Sequence, residues 1–459
     1  MIPARLIAAI VHGLAHVSLA MVIGGLVLDR FVVPAGAREL GPVRLTLRRW
    51  ITGALIVLAM TGLADLPVRA QAMSGAALSG VLDTIPQVIR GTHVGVVCIA
   101  RVVVIALTLL LSLARGAALR TLCLVAALGV AVTTSLSSHA AEWGDVTATA
   151  GLDWVHAIAA SVWAGGLIML VAVLGRGQPR LPPPALGVIA GRFSRLAGAC
   201  VVLVVATGLY NAWVQLGPIA KLWTTPYGRV LGLKVLAVAA LVWLGALNRY
   251  DVVPWLGPAR RSRGLGARLF VACRFAVLGS RRKSRTQAPT RLITYLTAET
   301  LLALIVFAFT AVLGEATPGR HVERIGRPST HVTNKEVIRR SSESLLGGTV
   351  TPPPGDAAKG RLVFVKLRCF DCHAVNGESF PAPGSPGPDL SGVGRGRHPG
   401  YLLESIVNPN ALVVDGPGFS DAAGASTMPD YRERLSVGEL IDIVAYLKTL
   451  DAAREPTTR

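Results

Sequence analysis

The stretch Arg368-Cys369-Phe370-Asp371-Cys372-His373-Ala374 decides how the rest of the chain is read. Two cysteines separated by two residues and followed at once by histidine form the attachment pattern of a c-type haem. The spacing suits the chemistry. Two thiols one turn apart can each form a thioether to a haem vinyl group, and the adjacent imidazole then falls under the iron as proximal ligand. CxxC alone also serves zinc sites and redox dithiols, so the residues downstream carry weight. A low-spin iron of this kind takes a second axial ligand, most often methionine. From Glu315 onward the chain holds one methionine, Met428, in Ser426-Thr427-Met428-Pro429-Asp430-Tyr431. On its own it would read as core packing; downstream of the haem motif it reads as the sixth ligand. His398 is the other candidate there, in a Gly/Arg/Pro stretch that reads as solvated loop.

Around that motif, Gly355 to Leu450 resembles the small mono-haem cytochrome c family. Gly355-Asp356-Ala357-Ala358-Lys359-Gly360-Arg361-Leu362-Val363-Phe364 is similar to the family's first helix. Gly387-Pro388-Asp389-Leu390 is similar to the loop whose proline, in that family, backs onto the proximal histidine. Leu435 to Lys448 is similar to the closing C-terminal helix. The residues support this reading independently. Leu440, Ile443, Val444 and Leu447 share one apolar helix face, and Ser436 with Glu439 has the spacing of a capping box. A methionine-ligated haem c implies a raised potential and no open position for substrate chemistry.

The remainder is too apolar for a soluble protein. The 459 residues have 16% charged side chains and a mean hydropathy of +0.54. Apolar segments fall at 5–28, 50–67, 93–113, 119–138, 152–174, 196–217, 230–248 and 292–313, each long enough to cross a bilayer. The segment 264–279 is short and carries Arg268 and Arg274, so it reads as an amphipathic helix at the interface. The first segment reads as a retained helix rather than a cleaved leader. The net charge of +20 comes largely from arginines between apolar runs. It speaks for membrane topology rather than for nucleic acid. Cys98, Cys123, Cys200 and Cys273 show no paired spacing and read as buried thiols. There is no short-period repeat.

Basic residues alternate along the loops. They crowd 29–49 and follow segments three, five and seven, whereas the loop between segments four and five is acidic through Glu142 and Asp145. Placing the basic loops in the cytoplasm puts both termini outside. Haem is attached to c-type cytochromes on the outer face, so the motif demands the same placement of the C-terminus. Residues 315–354, with His321, His331 and Pro352-Pro353-Pro354, read as a flexible linker.

Five histidines lie in or at the membrane part: His12, His16, His93, His139 and His156. In this orientation all fall in the outer half. Intramembrane ionisable groups are rare and tend to be functional, and imidazole suits both copper and haem iron. His12 and His16 share a helix face. Asp153, one turn before His156, is positioned to orient that ring. Met21, Met60 and Met169 read as packing, and Lys234 is a further intramembrane charge that would snorkel or pair with a carboxylate.

Ser138-His139-Ala140-Ala141, Trp154-Val155-His156 and Trp163-Ala164-Gly165-Gly166 resemble the CopD-type copper-resistance membrane proteins. So does Thr225 to Lys234, with Asn248-Arg249 beyond it. The resemblance covers most of 1–314 and implies copper movement across the inner membrane, with His139 and His156 as candidate ligands. The expected fold is all-α: a polytopic bundle of about eight transmembrane helices (1–314), the linker (315–354) and a small all-α cytochrome c domain (355–452). The expected function is that of an electron carrier, or a subunit of a redox complex, rather than a stand-alone enzyme. Haem c, held by Cys369, Cys372, His373 and Met428, works on the periplasmic face of the bacterial inner membrane. It exchanges electrons with copper or haem b at the membrane histidines. Expected partners are membrane lipid, a redox protein or quinol, and copper ion, with no nucleic acid. Two rival readings are a copper transporter with an accessory cytochrome and a plain membrane anchor.

Overall fold

A helix satisfies its own backbone in hydrocarbon, so apolar runs of this length fold as spans. Eight helices are long and apolar enough to cross a membrane: Arg5–Val32, Gly41–Gln71, His93–Leu113, Ala118–Leu136, Ala148–Leu174, Pro184–Leu216, Pro226–Trp255 and Ala288–Glu315. The protein is a multi-pass membrane protein, described here from a computed structural model. That structure describes residues 4–34, 38–74, 81–114, 116–138, 147–175, 181–256, 287–316, 330–332, 354–410, 412–421, 424–429, 431 and 434–450. The expectations for His139, Cys273, His321 and the interfacial helix 264–279 lie outside the described residues. The chain divides into two compact units, Met1–Leu66 with Val94–Gly319 and Pro67–His93 with Arg320–Arg459.

Several spans run beyond the apolar windows. The second begins at Gly41 and the sixth at Pro184, so Arg44, Arg48, Arg49, Arg192 and Arg195 lie on helix rather than in loops. Hydropathy marks what must sit in hydrocarbon, whereas the hydrogen-bond ladder continues into the polar zone wherever no breaker intervenes. Thr147 caps the fifth span by accepting from Ala150 N at 3.2 Å. Thr225 caps the seventh by accepting from Gly228 N at 3.0 Å, with Pro226 at its first position.

In the membrane unit the first span is central: Ala20, Val22 and Ile23 are fully buried. It crosses the fifth span where that helix opens into a π turn, Ser161–Gly165. A Cβ at Gly165 would overlap the Ala20 carbonyl, and one at Gly24 would overlap Gly166. Small residues on both partners thus allow near-backbone contact, the usual route to helix affinity in lipid. Buried Asp29, at the end of the first span, accepts from Arg44 Nη1 at 2.7 Å and pairs with Arg120 at 3.4 Å. Met169 is fully buried, as packing requires, while Met60 faces outward.

In the second unit the helix Ala357–Lys366 starts on Asp356, whose carboxylate accepts from Ala358 N and Lys359 N. The helix Val437–Thr449 starts on the Ser436–Glu439 capping box. The two cross at Gly360, where a Cβ would overlap the Asp442 carbonyl. Phe364 fills the crossing. It stacks on Phe380 and meets Tyr446 edge-on, both at 5.5 Å between ring centroids. This unit is not wholly α-helical. Strand Thr330–Val332 pairs in parallel with Leu412–Val414, so part of the segment read as a tether is ordered as sheet.

Candidate functional site

Arg368 adopts a left-handed backbone (φ 58°) and is the one described non-glycine residue to do so. This turn ends the helix Ala357–Lys366 and launches the 3-10 turn Cys369–Asp371. The strained residue therefore sits at the entrance to the haem motif. His373 N donates to the Cys369 carbonyl at 3.0 Å, closing the loop on itself. The Asp371 carbonyl accepts from Gly384 N and Ser385 N, which draws the following loop across. Gly387 then lies so close to the Cys372 carbonyl that a side chain would not fit.

The Pro388 carbonyl accepts from His373 Nδ1 at 2.8 Å. With Nδ1 carrying the proton, Nε2 presents its lone pair and the ring plane is fixed, the state a proximal ligand needs. Burial holds His373 below its ordinary pKa, partly offset by the Pro388 hydrogen bond, so the neutral ring prevails. Cys369 and Cys372 are free thiols. Burial pushes the Cys369 thiol up to about 12. Met428, Cys369, Phe370, Leu390 and Tyr401 pack against one buried cluster that includes Leu402 and Tyr431. Its loop is pinned by Ser426 N donating to Asn410 Oδ1 at 2.7 Å and Thr427 N donating to the Phe419 carbonyl at 3.1 Å. The donor set fits haem c: two thiols, one oriented imidazole and one thioether on an apolar wall. His398 is differently employed. Its Nδ1 accepts from Gly400 N at 3.2 Å, capping the helix Pro399–Val407.

The described membrane histidines His12, His16 and His156 hydrogen-bond within the bundle. His12 Nε2 lies 2.8 Å from Asp65 Oδ1, and its Nδ1 lies 2.7 Å from Glu315 Oε1. Both ring nitrogens are taken by carboxyl oxygens, so His12 clamps the first, second and eighth spans together. Arg101 donates to Asp65 Oδ2 at 2.6 Å, to the Thr133 carbonyl at 2.8 Å and to Ser137 Oγ. His16 Nδ1 donates to the His12 carbonyl at 2.6 Å. The Thr207 hydroxyl spends its proton on the Leu203 carbonyl, so His156 Nδ1 is the donor in their 2.9 Å bond. Both rings thus carry the proton on Nδ1 and a lone pair on Nε2. Asp153 does not orient His156, contrary to expectation. Its oxygens accept from Asn211 Nδ2 and Ser138 Oγ, and Lys234 is its charged neighbour. Lys234 also lies within electrostatic reach of His16 and His156. His93 opens the third span and is exposed. Among the described residues no group of three His, Cys, Asp or Glu side chains is arranged to hold a metal ion. Sequence reading missed Asp65, Arg101 and Glu315. For Asp65 and Arg101 an ionisable residue inside an apolar segment was the available signal, whereas Glu315 lies just beyond one.

A helical multi-pass membrane protein carrying a C-terminal haem-binding module is the class that fold and site define. More particularly, the chain is a copper resistance protein D-type membrane domain fused to a cytochrome c domain. Residues 3–149 match the copper resistance protein D-like N-terminal domain, 187–313 match copper resistance protein D, and 357–451 match cytochrome c. The cytochrome domain implies covalent haem c. The copper transport protein CutJ of Bacillus subtilis (strain 168) is 26% identical over 213 residues, 44% of this chain and 39% of that protein. The chain therefore spans about two fifths of the relative it matches. No solved structure matches it.

Proposed function

We propose that the protein is a membrane-anchored electron carrier at the outer face of the bacterial inner membrane, with its cytochrome module serving a copper-handling bundle. Haem c, when bound, supplies a one-electron centre. Cys369 and Cys372 attach it, His373 Nε2 and Met428 Sδ hold the iron, and the Pro388 carbonyl orients the proximal ring. The observation that carries this reading is the His373–Pro388 hydrogen bond at 2.8 Å beside two free thiols. The alternating basic loops support an outward C-terminus.

The role of copper rests on different support: the matches to copper resistance protein D and the name of the Bacillus relative. Copper would be cargo, met by the Nε2 atoms of His16 and His156 and by His139. His93 is a further candidate ligand on its position in the sequence alone. Both ring nitrogens of His12 are engaged, which favours a clamping role for it over ligation. A b-type haem would need two facing imidazoles; His16 and His156 are the described rings whose Nδ1 is the hydrogen-bonded nitrogen.

A reduced-minus-oxidised spectrum with metal analysis of the purified protein tests these readings together. The expected result is one c-type haem per chain and substoichiometric copper. An additional b-type band would replace the copper reading with a transmembrane electron relay. Haem c alone, with no copper response in cells, would leave a plain anchor. Met428→Ala is expected to convert the low-spin spectrum to high-spin or misligated, and an unchanged spectrum would overturn that ligand.

A further inference from the structure

The polar groups described so far leave one buried pair unused. Glu299, on the eighth span, is 3% exposed, and Asn248, in the π turn Asn248–Val252 ending the seventh, is 7% exposed. Both line a cavity of about 390 Å³ bounded by the fifth to eighth spans. None of the candidate histidines lines it.

Asn248 Nδ2 donates to Glu299 Oε1 at 3.0 Å. That bond fixes the amide and leaves Asn248 Oδ1 buried without a hydrogen-bond partner among the described residues. Glu299 Oε2 likewise makes no hydrogen bond among them. It lies beside Gly245, where even a Cβ would come within 3.7 Å. Two acceptor oxygens are therefore held ready at one wall, and a buried acceptor left unsatisfied is costly enough to call for a ligand. The other walls are largely apolar, with Trp163, Leu170, Phe193 and Leu296 among them. Arg249, also at the cavity, donates through Nη1 to the carbonyl and hydroxyl of Ser194, and its guanidinium carbon lies 5.7 Å from the Tyr250 ring centroid. Trp163 and Asn248 both come from π-helical turns, local distortions that recur at functional sites.

We propose that this cavity binds a hydroxyl-bearing ring on a hydrophobic tail, the chemistry of a quinol. The volume lies within the range of small-molecule sites. A ring hydroxyl donates to Glu299 Oε2 or to Asn248 Oδ1, while the tail leaves along the apolar wall. An anionic head would face the Glu299 carboxyl. Copper would find neither sulfur nor imidazole on the wall. An acyl chain alone would leave both oxygens unpaired. The proposal concerns binding and stands whether or not the haem module draws electrons from this site.

The test uses the full chain in phosphatidylcholine nanodiscs, titrated anaerobically with a decyl-tailed benzoquinol. One saturable site per chain is expected. The O-methylated analogue, which cannot donate, is expected to bind at least about tenfold more weakly, the effect of losing a hydrogen bond made to a buried acceptor. Asn248→Leu/Glu299→Leu removes both acceptors together and leaves no orphaned partner; it is expected to weaken binding at least about tenfold. Ala197→Phe is expected to abolish binding by filling the cavity. The two probes decide the matter in the unmodified protein even if a variant fails to fold. Absence of a saturable site, equal binding of the methylated probe, insensitivity to both variants, or a co-purified phospholipid that the probe cannot displace would each overturn it.

Discussion

The two modules use histidine in opposite ways. In the cytochrome module His373 has one nitrogen pinned by a backbone carbonyl fifteen residues away, and the other nitrogen is left basic. In the bundle His12 spends both nitrogens on carboxyl groups, one of them 303 residues distant in sequence. The first arrangement leaves Nε2 available, as the proposed proximal ligand requires. The second engages both nitrogens in a clamp across three spans. What faces the second nitrogen separates the two, which no count of histidines in apolar segments reveals.

That contrast can be broken most decisively at the haem motif. Cys369→Ala/Cys372→Ala should abolish covalent haem on a denaturing gel, whereas His12→Gln should leave haem staining unchanged. Loss of haem in His12→Gln would erase the distinction between the modules. Next in size is Arg101→Leu, which takes the guanidinium away from the Asp65 carboxyl, 2% exposed, and leaves its charge to His12 inside the bundle. Breaking a buried pair from one side costs about 3–5 kcal/mol, readable as a large drop in the thermal midpoint of the detergent-solubilised protein. Adding Asp65→Asn should recover much of that loss. A midpoint insensitive to Arg101→Leu would show that the pair does not hold the spans together.

The smallest effect sharpens the comparison on the soluble side. Glu378 bridges Arg361 at 2.7 Å and Tyr446 Oη at 3.0 Å. The Arg361 hydrogen bond chiefly holds its carboxyl below the ordinary value. A depressed folded-state value gives stability that is present above the unfolded glutamate pKa near 4.3 and lost as pH falls through the folded one. Because Arg361 is partly exposed, solvent screening keeps the increment small. Glu378→Gln should lose that increment at pH 7 and show a flatter decline between about pH 5 and 3. The check is denaturant unfolding of the cytochrome module followed at the haem band. An equally steep acid decline in the variant would remove Glu378 as its cause.

Much of this was legible in the chain alone. Span number followed from hydropathy because a bilayer sets a minimum apolar length. The capping box at Ser436 and Glu439 followed from a spacing of three. Span ends were read short, because arginines such as Arg44 and Arg192 interrupt hydropathy without interrupting a helix. The tether was read as structureless, yet Thr330–Val332 pairs with Leu412–Val414. Three residues are too few for a periodic signal, and strand pairing depends on a distant partner. Asp153 next to His156 was read as an orienting pair from helix spacing. The actual partner, Thr207, comes from another span.

The sequence by itself determined the module order, the number of spans and the presence of a cytochrome c attachment motif. Each of these rests on a local period, a hydrophobic length or a covalent spacing of a few residues. Only the tertiary structure decided what the intramembrane polar groups do. Their roles depend on partners brought from other helices, where a nitrogen facing a carboxyl is spent and an oxygen facing a cavity remains open.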